Sequence, residues 1–199
     1  MIGMALKMTS EPFSIRANLK HIMELPSGQS GTGFSVLPID QQLDTLSREV
    51  LIIHEVDFDM YGLAFLEGVL SRQNGTIDPT VQYANASINV ALTGDNDITS
   101  TILSDPSFIS GRQYTTLQGV SSNYDNTPDT ASYGSTGSKH PLAIVADGSM
   151  FLFINGSWNG TDNTSAQDVG ISASVRVMAQ RATASADVYA ALLTRAYNG

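Results

Sequence analysis

Cysteine is absent from this 199-residue chain. Its absence removes disulfide staples, thiolate catalysis and cysteine-held zinc from consideration. Charge is scarce as well. Charged residues make up 15% of the chain, with 10 Lys and Arg against 19 Asp and Glu, for a net charge of −9. A surface of that kind is built from Ser, Thr, Asn and Gly rather than from ions, and it lacks the clustered cations that phosphate recognition needs. No stretch approaches the roughly 18 apolar residues of a membrane-spanning helix. The opening "MIGMALKMTSEPFSIRANLKHIMEL" lacks the continuous apolar core of a signal peptide. The expectation is a soluble chain made in the cytoplasm.

What is present is alternation. In "REVLIIHEVDFDM", Val50, Ile52, His54, Val56, Phe58 and Met60 fall on one face of an extended strand, with Glu49, Leu51, Ile53, Glu55, Asp57 and Asp59 on the other. "ANASINVAL" groups Ala84, Ala86, Ile88, Val90 and Leu92, and "VGISASVRVMAQR" groups Val169, Ile171, Ala173, Val175, Val177 and Ala179. Both read as half-buried strands. "PLAIVADGSMFLFING" reads as two apolar strands about an Asp-Gly turn of the kind tight hairpins use. "FSVLP", "ITSTIL" and "QYTTLQGV" are weaker strands.

Residues 1–32 end in the turn formers "PSGQSGT" and read as an extended N-terminal arm. A domain over residues 33–199 follows, its compact body starting near Phe34. Within the first 24 residues the arm cations Lys7, Arg16 and Lys20 outnumber Glu11 and Glu24 by one. "SSNYDNTPDTASYGSTGSKHP" is polar and turn-rich and reads as a surface loop. Helices are expected at "GLAFLEGVL" and at "SADVYAALLTRAY". In the second, Ser185 is the N-cap, Asp187 lies in the first turn, and Val188, Ala191, Leu192 and Arg195 follow at helical spacing.

The acids of "HEVDFD" invite a metal reading, which strand geometry opposes. His54 points away from Glu55, Asp57 and Asp59, and residues two apart on a strand are separated by about 7 Å. The acids therefore read as facing solvent or an interface, and His54 as a partly buried histidine holding a hydrogen bond. His21 in the arm and His140 before a proline lie near no nucleophile motif. Asp95, Asn96 and Asp97 of "TGDND" could offer oxygens to calcium, but the EF-hand pattern is missing and a plain turn is preferred. "GSTGSKH" fails the phosphate-loop spacing. The nucleophile elbow, the zinc-protease motif and the dinucleotide fingerprint are all absent. The sequons at Asn74, Asn85, Asn155, Asn159 and Asn163 are read as composition.

Short strands, long polar loops, an arm and a closing helix point to an all-β, antiparallel two-sheet jelly-roll sandwich. The "SREVLIIHEVDFDM" strand, the ending "VRVMAQRATASADVYAALLTR" and the arm before a β-rich body resemble small single-jelly-roll capsid proteins of icosahedral viruses. The resemblance implies a non-enzymatic shell subunit, located in the virion. Its partners would be other copies of itself about symmetry axes, with the sharing of the shell by a second coat protein left open. The arm departs from the Arg-rich arms of many such proteins, so nucleic-acid contact is expected to be weak or indirect. Under this reading Glu55, Asp57, Asp59, Asp95 and Asp97 are the interface or ion candidates. No metal or cofactor is called for, calcium between subunits being the one ion these oxygens would suit. The rival expectation is a carbohydrate-binding β-sandwich module of a lectin, adhesin or phage fibre, with Trp158, Tyr124 or Tyr133 stacking on sugars.

Overall fold

The run Val50–Ile53 is apolar at every position, whereas a strand with one wet face alternates. Such a run implies cover on both faces, and the computed structural model shows how it arises. The structure describes residues 6–25, 31–62, 83–97, 105, 107–119, 129–133, 141–159 and 167–198. In chain order the strands are β1 (Leu6–Met8), β2 (Phe13–Leu25), β3 (Gly31–Asp40), β4 (Glu49–Tyr61), β5 (Tyr83–Thr93), β6 (Phe108–Gly119), β7 (Asp129–Tyr133), β8 (Ala143–Val145), β9 (Ser149–Asn159) and β10 (Gln167–Ala184). Helix α1 (Ala186–Asn198) closes the chain.

The strands form two antiparallel sheets. In the first, β10 has β2 and, further along, β1 on one edge and β4 on the other, and β8 lies beyond β4. In the second the order is β3, β9, β5, β6, β7. The chain thus alternates between the sheets: β2 in the first, β3 in the second, β4 back in the first, β5 and β6 in the second, then β8, β9 and β10 in turn. This interleaving is the jelly roll, two Greek keys wrapped into a sandwich, as the strand pattern led one to expect.

The core lies between the sheets. The first supplies Leu19, Leu51, Ile53, Val56, Phe58, Ile171, Ala173, Val175, Val177 and Ala179, and the second supplies Ile39, Ile88, Val90, Leu92, Met150, Leu152 and Ile154. The inward sets expected for β5 and β10 are therefore confirmed at Ile88, Val90 and Leu92 and from Ile171 to Ala179. A second cluster sits on the outer side of the first sheet. Val50, Ile52, Ala182 and Ala184 lie beneath Val188, Tyr189, Leu192 and Leu193 of α1. That stripe is how an amphipathic helix pays for ordering its chain. Ala191, which follows Val188 at helical spacing, is exposed, and Tyr189 and Leu193 complete the buried stripe with Val188 and Leu192. The carbonyl of Ser185 accepts the amide of Tyr189 at 2.9 Å, as an N-cap residue's does.

The face assignment of β4 needs a correction. Its register against β10 slips between Met178 and Ala179, where Glu55 pairs with Met178 but Ile53 with Ala179. His54 is the extra residue of a β-bulge, and the phase of alternation reverses there. Leu51 and Ile53, not Val50 and Ile52, share the inward face with Val56 and Phe58.

Three further expectations change. Residues 13–25, read as arm, form β2 and pair with β10 from Phe13 opposite Ala179 to Leu25 opposite Gln167. The segment before β2 is tied in as well: Arg181 N donates to Ser10 Oγ at 2.9 Å and Gln180 Nε2 to Ser10 O at 2.8 Å. The sandwich therefore takes in residues well before Phe34, because Phe13, Ile15, Ala17 and Leu19 have an inward face to bury. The Asp-Gly turn does separate two strands, but not as a hairpin, since β8 pairs with β4 and β9 with β3 and β5. The turn carries the chain from one sheet to the other. The polar segment 121–141, read as loop, contains β7, whose Thr130 and Tyr133 pair with Tyr114 and Gly111 of β6. "FSVLP" lies in β3, and "QYTTLQGV" lies in β6 up to Gly119. "ITSTIL", and "GLAFLEGVL" beyond Gly62, fall outside the described residues.

Gly148 takes φ of 79° in the sheet-to-sheet turn, and a Cβ there would run into the carbonyl of Gln41. Two outcomes follow. Gly148→Ala should lower unfolding stability by about 1–3 kcal/mol, and Ile53→Ala by about 2–5 kcal/mol, both read from urea midpoints. A near-neutral Ile53→Ala would contradict the bulge and the inward position it confers.

Candidate functional site

Past the bulge, alternation puts Glu55, Asp57, Asp59 and Tyr61 on the outer face of the first sheet. Register then decides what they meet. Met178 stands between Ser14 and Glu55, Arg176 between Arg16 and Asp57, Ser174 between Asn18 and Asp59, and Ser172 between Lys20 and Tyr61. α1 covers the other end of this face, and the charged end is open, with Arg16, Asn18, Lys20, Asp59 and Arg176 all exposed.

Arg16 and Arg176 are directly opposite, an unfavourable like-charge pair. Arg176 turns away from Arg16 to the acids. Its Nε donates to Asp57 Oδ2 at 3.0 Å, its Nη2 reaches the same oxygen, and Nη2 lies 3.9 Å from Glu55 Oε1. Hydrogen bonding to Asp57 first, then its charge, raises the guanidinium's pKa further above the usual arginine range. The acidic ladder thus faces an arginine of its own chain. A cleft of about 870 Å³ opens beside it, lined among others by Arg16, Asp57, Asp59, Tyr61 and Arg112. Arg112 reaches over from β6, and its Nη1 donates to the carbonyl of Phe58 at 2.9 Å. That bond covers part of the β4 edge beyond Ile53, where the pairing with β8 ends.

The remaining candidates are dispersed. Lys7 sits in β1 opposite Thr183, while Arg16 and Lys20 belong to β2, so the arm cations are sheet residues. Asp95 and Asp97 lie exposed in the turn after β5, where Asp95 Oδ1 accepts the amide of Asn96 at 2.6 Å and Asp95 O accepts the hydroxyl of Thr93 at 2.7 Å. Among the described residues no three His, Asp or Glu side chains come together to hold a metal ion. Likewise among the described residues, no helix is long and apolar enough to cross a membrane. His54 is half-buried at the bulge, and no hydrogen bond to its ring is present among the described residues. His140, "GSTGSKH", Tyr124 and the side chains of Tyr133 and Trp158 lie outside the described set.

Of the buried polar residues His21, Thr93 and Ser110, the histidine bears most on the chemistry. His21, in the segment read as an arm, is buried on the inward face of β2, with Nδ1 2.9 Å from Ser35 Oγ and Nε2 buried without a hydrogen-bond partner among the described residues. Burial pushes its pKa below the ordinary histidine range. The signal was available: Phe13, Ile15, Ala17, Leu19, His21 and Met23 alternate with Ser14, Arg16, Asn18, Lys20, Ile22 and Glu24.

The class that this strand order defines is the single jelly roll. No protein-family model matches the chain, and no curated protein matches it. Among solved structures it is similar to VP1 of chimpanzee polyomavirus, with a TM-score of 0.43 and 7% identity over 92% of this chain and 100% of that one. It is also similar to VP1 of trichodysplasia spinulosa-associated polyomavirus in complex with 3'-sialyllactose, with a TM-score of 0.44 and 8% identity over 93% and 99% of the two chains. A third likeness is to an unassembled pentamer of Merkel cell polyomavirus VP1, with a TM-score of 0.42 and 10% identity over 91% and 99%. The fold assignment rests on the strand order within this chain, not on these likenesses.

Two measurements probe this site. A histidine whose folded pKa is depressed binds its proton more readily when unfolded, so stability falls as pH drops below about 6.5. The urea midpoint should decline from pH 7.5 to 5.5, and His21→Leu should flatten that decline. Asp57→Asn breaks a solvent-exposed ion pair and should cost no more than about 1 kcal/mol, as judged by the same denaturation curves.

Proposed function

We propose that this chain is a viral coat subunit that assembles with copies of itself into a closed, symmetric shell. The observation that carries the reading is the strand order, with β2, β10, β4 and β8 in one sheet and β3, β9, β5 and β6 in the other. This jelly roll is a fold that viral shells use among other proteins. Because a fold alone does not define a function, the described surface matters as well. Its outer faces carry large exposed apolar side chains, Ile22 at 63%, Phe34 at 56% and Tyr61 at 55%, which are assets at subunit contacts and liabilities in an isolated monomer.

The charge balance constrains the reading. At a net charge of −9 the shell would gain little from neutralising phosphates. Arg16 and Lys20 are held on a sheet rather than on a loose basic tail. Genome contact through this chain is then minor, and the virion is its place of residence. Closed assembly requires the same contact surfaces to recur around each symmetry axis.

Negative-stain microscopy and light scattering of the purified chain test this. Uniform particles far above the 21.2 kDa of one chain are expected. A monodisperse monomer at every concentration and ionic strength would overturn the reading and favour the sugar-binding alternative, which glycan-array binding would then support. Because Arg176 already serves the Glu55 and Asp57 carboxylates, the particles should survive EDTA.

A further inference from the structure

The open end of the first sheet's outer face is lopsided in charge. Its β2 edge carries Arg16 and Lys20, both exposed, and neither has an ion-pair partner among the described residues. Its β4 edge carries Glu55, Asp57 and Asp59. Arg176 engages the first two, which leaves Asp59 exposed with no cation in ion-pair range among the described residues. Exposed apolar side chains stand at both edges, Ile22 on β2 and Tyr61 on β4.

We infer that this face is a self-complementary contact for a second copy of the chain, the two copies related by a twofold axis that runs along β10 in the plane of the interface. The choice of axis follows from the registers. A twofold axis across the strands would lay β2 over β2 and set Arg16 and Lys20 against themselves. An axis along the strands, centred on β10, lays β2 of each copy over β4 of the other and leaves the position along the strands unchanged. Arg16 then faces the row of Asp57 with Asp59 one pair further on, and Ile22 lies one step from Tyr61 of the facing copy. Each contact occurs twice, as an isologous interface demands. Arg176 is drawn off the axis by its own carboxylates and does not oppose its symmetry mate head-on. The cleft beside Asp59 gives the facing side chains a depression to enter.

The size of the face sets the strength. Three strands at about 4.8 Å spacing and about ten residues at about 3.4 Å give roughly 14 Å by 34 Å. That is below the roughly 800 Å² per partner of a standard interface, so the association is weak and governed by charge. The inference concerns a dimer and holds whether or not the copies go on to close a shell, so particle formation and dimer affinity can fail independently.

Sedimentation equilibrium of the full chain at low salt should show dimers, weakened about tenfold or more as salt rises and screens the paired charges. Arg16→Asp and Asp59→Arg should each weaken dimerisation by about tenfold or more, and the double charge swap should regain most of the loss. Both substituted positions are exposed, and circular dichroism melts confirm that each variant is folded. Ser174 lies over the proposed axis, and the chain has no other thiol. Ser174→Cys should therefore give a cross-linked dimer with a short bismaleimide, because packed sheets are about 10 Å apart. A wild-type chain that stays monomeric at low salt would overturn the inference. So would single variants that associate like wild type, a double swap as weak as the singles, or no cross-link at concentrations where wild type is dimeric.

Discussion

Both edges of β10 are paired along most of its 18 residues, to β2 and β1 on one side and to β4 on the other. The rest of the structure depends on that double ladder. It orients the inward stripe Ile171, Ala173, Val175, Val177 and Ala179 over the second sheet, and it sets the rows of the charged outer face. It also delivers the chain to α1 at the point where Ala182 and Ala184 need cover. On β10, Ala173 and Ala179 are the small members of the inward stripe, and Ala182 and Ala184 lie under α1. The alanines and serines of β10 leave the bulk to be supplied by β4 and β9.

The bulge at His54 solves a local conflict. Before it, Val50 and Ile52 point outward to be capped by α1. After it, the outward positions must meet solvent, and they are Glu55, Asp57 and Asp59. A single extra residue lets one strand be buried on both faces at one end and amphipathic at the other. The four consecutive apolar residues Val50–Ile53 fit either phase of alternation, so no periodicity argument locates the slip. It becomes visible only against the register of β10.

Strands with strong alternation were legible: β5 and β10 appear where their apolar residues recur at every second position, and the closing helix appears where Ser185 and Asp187 mark its start. β2 was equally legible in principle. The turn formers at 26–32 mask its alternation, because they read as the end of an arm. Whether a strand joins a sheet depends on its partner, and the partner of Phe13–Leu25 lies more than 140 residues away in sequence, beginning at Gln167. The same non-local dependence explains the Asp-Gly turn. Asp-Gly tolerates the positive φ that Gly148 adopts, but local chemistry could not say that the flanking strands belong to different sheets. The candidate acids were found correctly as a shared-face ladder, while their counter-ion was not, because Arg176 meets Asp57 only through the pairing of β4 with β10.

The proposed shell subunit needs a rigid body with repeatable faces, and the β2–β10–β4 ladder would supply both the rigidity and the proposed contact face. Native-state hydrogen exchange tests that claim most directly, because amides of one cooperative unit open together at the free energy of global unfolding. The account predicts that the interstrand amides of β2 exchange as slowly as those of β10 and β4, all three strands sharing one opening free energy. Rapid exchange across Phe13–Leu25, with β10 and β4 still protected, would show β2 to be a detachable arm and would contradict it.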